Sequence, residues 1–186
     1  TSIPITTPRI GHHGGASMAE TWSGGCQCGA IRYRFNRKPD GAHICHCRMC
    51  QKAFGAFYAP LVGGARDSFA VTRGTISLFR SSDRAERGFC AACGTPLTFA
   101  YLDSDRISVS IGSLDDPEPF RPQDQHGTES RLSWTNALGS LPDRPPTDQE
   151  DAVTAAFIKS TNHQHPDHDT EDWPQPAGPG QSQKTK

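Results

Sequence analysis

The 186-residue sequence has no apolar run approaching the roughly 20 residues needed to span a bilayer. Its N-terminus also lacks the apolar core of a secretory signal. There is no surplus of charge: 19 Lys and Arg stand against 20 Asp and Glu, so no strong field draws nucleic acid or an anionic membrane. Apolar residues make up only 34%, lean for a chain packed throughout. After Ser160 there is no Ile, Leu, Val, Met or Phe at all, and such a segment cannot bury enough surface to offset its ordering entropy. These absences predict a cytoplasmic protein with one domain and loose ends. The expected divisions are a flexible leader over 1–19, a folded domain over 20–146, a short helix over 147–159 and a disordered tail over 160–186.

What the sequence does have is cysteine, seven residues in three tight groups. They read Cys26-x-Cys28, Cys45-His46-Cys47-x-x-Cys50 and Cys90-x-x-Cys93. An odd count at such short spacing disfavours a disulfide framework. Thiolate is a soft ligand, and CxC or CxxC spacing sets two or three sulfurs around one tetrahedral zinc. Seven divides as four plus three. Cys26, Cys28, Cys90 and Cys93 form two similar pairs, each followed directly by glycine (Gly29, Gly94) and then by an alternating apolar segment. They are expected to close a structural zinc, which contributes on the order of 10 kcal/mol to folding; buried, unligated thiols are the plain alternative.

Cys45, Cys47 and Cys50 reach one ion from a single loop and leave a coordination position open, the pattern of a reactive zinc. Two alternatives stay open: a closed site with His43 or His46 as fourth ligand, and a redox dithiol. Three thiolates on Zn²⁺ leave a net charge of −1, which favours handling another thiol over activating water. Arg48 and Lys52 flank the cluster and are candidates to meet the carboxylates of a thiol cosubstrate. His46, between two proposed ligands, is expected to point away from the metal.

The remaining pattern is mainly β, in short antiparallel strands. Ile31, Tyr33 and Phe35 alternate with Arg32 and Arg34, as do Leu97, Phe99 and Tyr101 and then Ile107, Val109 and Ile111 with their neighbours. Further strands are expected at Phe57–Val62, Phe69–Thr72 and Ile76–Phe79, with 36–41 a turn, 51–55 a helical turn ended by Gly55, and 81–87 a solvated loop or edge. Pro117, Pro119 and Pro122 predict irregular chain up to His126, after which Leu132, Trp134 and Leu138 cover one end of the sheet. Thr147-Asp-Gln-Glu150 reads as a capping box that starts a helix with Ala152, Val153, Ala156 and Phe157 on one face. His12 and His13 read as solvent-exposed. His163, His165 and His168, interleaved with Asp167 and Asp169, read as tail rather than as a metal site.

Four motifs together, Gly25-Cys26-x-Cys28-Gly29, Cys45-His46-Cys47-x-x-Cys50, Phe89-Cys90-x-x-Cys93-Gly94-Thr95 and Gly112-Ser113-Leu114-Asp115, resemble the glutathione-dependent formaldehyde-activating enzyme family, to which centromere protein V also belongs. The resemblance covers about residues 20–145. It implies a small zinc-stabilised β-tent of the Mss-four-like type, structural zinc on Cys26, Cys28, Cys90 and Cys93, and catalytic zinc on Cys45, Cys47 and Cys50. It also implies carbon–sulfur lyase activity, joining formaldehyde to glutathione as the thiol cosubstrate. Gln51 stands where many relatives carry a basic residue. Beside a small-molecule thiol and aldehyde, no nucleic acid or membrane partner is expected. Two other classes remain to be separated from this enzyme: a zinc-stabilised protein-binding module and a redox sensor.

Overall fold

A computed structural model describes residues 20–173; the expected leader at 1–19, with His12 and His13, and the last part of the expected tail lie outside the described residues. Among the described residues ten strands and three α-helices follow in chain order, with short 3-10 turns between them: β1 Trp22–Gly25, β2 Arg32–Phe35, β3 Asp40–Cys45, α1 Arg48–Phe54, β4 Ala59–Ala65, β5 Phe69–Arg73, β6 Ser77–Ser82, β7 Ala85–Phe89, β8 Pro96–Tyr101, β9 Arg106–Ser110, β10 Asp124–His126, α2 Thr147–Glu150 and α3 Ala152–Thr161. They form a three-stranded sheet, β1-β2-β5, and a seven-stranded sheet, β10-β3-β4-β9-β8-β7-β6. Every pairing is antiparallel except β10 with β3. The mainly β class read from the sequence is the class of this fold.

The core follows from the alternating positions. Tyr33 and Phe35 have no exposed surface, and they pack with Ile31, Val62, Leu97 and Val109 in one buried cluster. Phe69 joins them, its ring centroid 5.1 Å from that of Phe35. The Tyr33 hydroxyl, too deep for water, shares a 2.7 Å hydrogen bond with the Ser113 hydroxyl, which satisfies the polar tip of an otherwise apolar anchor. A second, smaller buried cluster joins Cys50 to Ala59 and Leu61, and Cys45 and Cys47 pack against it.

Several expectations are corrected. Residues 81–87 are an edge rather than a loop only in part: β6 is the outermost strand of the large sheet and forms with β7 a hairpin turning at Asp83-Arg84, but β7 lies inside the sheet with Ala85 and Arg87 pointing inward. An arginine in an inward position breaks the apolar alternation by which a strand is recognised. The turn expected at 36–41 gives way to β3 from Asp40, and β10 forms in the stretch expected to be irregular. The strand expected from Phe57 starts at Ala59, leaving Phe57 exposed. Trp134 covers no sheet end; it meets Phe57 edge to face at 4.7 Å on the surface.

The expected C-terminal helix is divided. Its break falls at Asp151, whose extended backbone interrupts the helix while its carboxylate accepts from the Thr154 N–H at 3.0 Å and starts α3. Pro146 precedes α2 with no side-chain cap, so Thr147 does not serve as one. The apolar face of α3 is exposed, Val153 at 81% and Phe157 at 66%. The disordered tail is also corrected for residues 160–173. α3 runs to Thr161, and the chain then docks on the first cysteine turn. There the His165 N–H donates to the Gln27 carbonyl at 2.7 Å and the Trp173 indole to the Cys28 carbonyl at 2.7 Å.

Candidate metal centres and the cleft

The two outer cysteine turns are built alike. Cys26 N–H donates to Ile31 O and Gly29 N–H to Cys26 O, each at 3.0 Å; Cys90 N–H donates to Thr95 O at 3.0 Å and Gly94 N–H to Cys90 O at 2.8 Å. This shared geometry brings the sulfurs of Cys26, Cys28, Cys90 and Cys93 within 4.8 Å of one another. Cys26 and Cys28 Sγ are 3.6 Å apart, Cys28 and Cys90 Sγ 3.8 Å. A tetrahedron with metal–sulfur bonds of about 2.3 Å has edges of roughly 3.8 Å, whereas a disulfide needs about 2.05 Å. The quartet therefore fits a zinc ion. Backbone and hydroxyl donors already serve the sulfurs: Ile31 N–H donates to Cys26 Sγ at 3.2 Å, and the Thr95 hydroxyl lies 3.2 Å from Cys93 Sγ. Burial first, then the neighbouring Cys93 and Cys26 thiols, push Cys28 well above its ordinary value. At Cys93 the cost of burial is outweighed by Thr95, and the thiol falls to about 6. Such crowding of sulfurs is relieved by a cation.

The central trio comes from a strand end and a helix start. Cys45 closes β3. Cys47 caps α1, its sulfur accepting from the Cys50 N–H at 3.4 Å, and Cys50 is buried in the first helical turn. Their sulfurs also lie within 4.8 Å of one another, and among the described residues no fourth ligand atom joins them. Burial pushes Cys45 up to about 12, with Cys50 adding to it. Against the cost of burial, the Cys50 N–H and the neighbouring thiols hold Cys47 below its ordinary value. His46, as expected, faces away from the sulfurs; buried, it binds Gln125 Oε1 through Nε2 at 2.9 Å. Gln51 is buried as well and donates to the carbonyls of His46 at 2.6 Å and Ser130 at 3.0 Å. A neutral amide at this position thus staples the cysteine loop to the Ser130 turn.

The trio lines a cleft of about 420 Å³. The cations facing it differ from those expected. Arg48 and Lys52 are exposed on α1 and line no part of the cleft; Arg48 instead donates to Gln51 Oε1. Arg87 and Arg106 line it. Arg87 is nine-tenths buried, donates through Nη2 to Cys50 Sγ at 3.3 Å, and lies 4.9 Å from the Phe99 ring centroid. Its Nε and Nη1 are buried and have no hydrogen-bond partner among the described residues. Arg106, half exposed at the rim, pairs with Asp40. His43 and His126 complete one wall. Sequence reading missed Arg87 and His126. The only local signal was Arg87 lying in step with Ala85 and Phe89, two residues apart on either side, just ahead of Cys90.

Residues 21–130 match the family described as glutathione-dependent formaldehyde-activating enzyme. The chain belongs to that family. An uncharacterized lyase of Schizosaccharomyces pombe is 30% identical over 89 residues, 44% of this chain and 59% of that protein. The chain thus spans about three-fifths of the length of this curated relative. A crystal structure of a Rhodobacter sphaeroides protein is 20% identical, with a TM-score of 0.46, over 55% of this chain and 98% of that one. α2, α3 and the docked segment after them lie beyond the matched range. Among the described residues no helix is long and apolar enough to cross a membrane.

Proposed function

We propose that the chain is a zinc-dependent carbon–sulfur lyase of the S-(hydroxymethyl)glutathione synthase type, acting on glutathione with formaldehyde or on a related thiol adduct. The observation that carries this reading is the trio of Cys45, Cys47 and Cys50, which lacks a fourth ligand among the described residues and faces a cleft holding a buried cation. In the synthetic direction a C–S bond forms between the thiol sulfur and the aldehyde carbon, and the thiol proton ends on the aldehyde oxygen; the lyase direction reverses this. Zinc held by the trio would bind the substrate sulfur as thiolate and lower its pKa. A second zinc, on Cys26, Cys28, Cys90 and Cys93, would be structural.

The chain's own residues set the surroundings. Arg87 brings positive charge to the sulfur cluster, offsetting the net −1 of three thiolates on Zn²⁺. The apolar wall of Leu61, Phe99 and Ala100 limits the water that competes for the aldehyde. Arg106 and the hydroxyls of Ser82 and Ser104 at the rim suit the carboxylates and amides of a small peptide thiol. Exchange spectroscopy with ¹³C-formaldehyde and glutathione tests the reading: the interconversion of free aldehyde and thiol adduct should speed up with protein present. Failure across a panel of thiols and aldehydes would leave the second reading, a zinc-stabilised binding module, which the exposed Val153, Phe157 and Ile158 of α3 favour.

A further inference from the structure

A second cluster of metal-ligating side chains stands beside the trio. β10 runs parallel to β3 with Asp124 opposite His43 and His126 opposite Cys45. Side chains two residues apart on a strand share a face, so His43, Cys45, Asp124 and His126 project together from this pair of strands. One ligand atom each from His43, Asp124 and His126 falls within 4.8 Å of the others. His43 and His126 both line the cleft, so the cluster sits at its mouth.

We propose that His43, Asp124 and His126 form a further metal site, for a borderline divalent transition ion such as Zn²⁺, Co²⁺ or Ni²⁺. Two imidazoles and a carboxylate are the donor set such ions prefer, whereas Mg²⁺ and Ca²⁺ take oxygen ligands. His126 Nε2 and Asp124 Oδ1 are 3.0 Å apart. With bonds of about 2.1 Å, adjacent ligands on one ion lie roughly 3.0–3.4 Å apart, so the distance suits two ligands as well as it suits a hydrogen bond.

His43 carries the outer support usual for a metal-binding histidine. Its Nδ1 lies 2.8 Å from the Gly41 carbonyl oxygen, which places the proton there and leaves the Nε2 lone pair free. The backbone around the cluster is held on both sides. Gln123 N–H donates to Ala42 O at 2.9 Å before β10, and His46 N–H donates to His126 O at 2.8 Å at its end. Just after it, Gly127 takes a φ of +62°, and a Cβ there would lie 2.7 Å from Cys47 N. Only glycine lets β10 approach the cysteine loop this closely. The backbone that carries the two histidines is therefore set before any ion arrives, and the site does not depend on the proposed lyase reaction.

The test is calorimetric titration of the full chain with Zn²⁺ after both cysteine sites are loaded. One further equivalent is expected in the parent chain, absent in H43Q/H126Q and weakened in D124N. The tail variant H163Q/H168Q should retain it. Cobalt substitution supplies an independent readout, because thiolate-bound Co²⁺ absorbs strongly by sulfur-to-metal charge transfer and an ion on imidazole and carboxylate does not. If H43Q/H126Q lowers the thiolate band, D124N, whose carboxylate is exposed, serves as the deciding variant. Absence of a further equivalent in the parent chain overturns the proposal, as does its full retention in H43Q/H126Q or, where D124N decides, in D124N.

Discussion

The guanidinium of Arg87 has two buried nitrogens with no partner among the described residues and a third on the Cys50 sulfur. A buried charge with so few hydrogen bonds costs several kcal/mol unless an opposite charge lies close. The partner in contact is the Cys50 sulfur, which becomes negative once the trio holds a cation. Replacing Arg87 with Met should therefore weaken metal binding at the trio by about 10–100-fold, the usual effect of losing an outer-shell partner, without emptying the quartet. Lysine should not restore it, since an ammonium lacks the planar fork that reaches Cys50 while lying against Phe99. Competition with a chromophoric chelator measures both; unchanged affinity in R87M would contradict the assignment. The cysteines were legible in the sequence because metal ligands from one turn must sit one to three residues apart. Arg87 was not, because it reaches Cys50 across the sheet, 37 positions away, and no spacing rule encodes that contact.

At the level of elements, the docked segment after α3 is where sequence and structure part most. Its residues are polar, and polarity alone reads as disorder. What orders it is a set of directed contacts: Arg32 to Asp169 at 2.9 Å, Trp173 to the Cys28 carbonyl, and His165 edge to face with Trp173 at 4.6 Å. A Cβ on Gly29, at φ +74°, would meet His165 at 2.3 Å, so G29A should undock the segment. His165 Nδ1 lies 2.7 Å from the Pro166 carbonyl, and Nε2 accepts from Arg73 at 3.2 Å. Burial, together with the charges of Arg32 and Arg73, holds its pKa below the ordinary histidine value. The undocked form therefore binds a proton more readily. Docking is at full strength above about pH 6.5 and weakens as pH falls below that. The Trp173 indole N–H resonance, displaced by its bond to Cys28, should move toward its free position over that range. A resonance that stays fixed down to pH 5 would contradict this (~1.5 units below the ordinary histidine value). The alternating strands β2, β8 and β9 were legible because one face of each is apolar. β7 and β10 were not, since their inward or site-facing positions carry Arg87, Asp124 and His126.

For the whole molecule, the two sulfur sets have different consequences. The quartet joins the turn before β2 to the turn before β8, tying the small sheet to the large one. Structural zinc contributes on the order of 10 kcal/mol, comparable to the 5–15 kcal/mol net stability of a typical domain. Cys90→Ser should accordingly abolish cooperative unfolding near neutral pH, seen as loss of the thermal transition by circular dichroism. The trio sits at the edge of the main core, against a small cluster of its own, and its loss should leave that transition in place. The most direct test is zinc content per chain, with turnover of the glutathione–formaldehyde adduct, before and after Cys47→Ser. The account predicts one fewer thiolate-bound zinc, no turnover and an intact fold; unchanged zinc content, or turnover that survives the substitution, would contradict it.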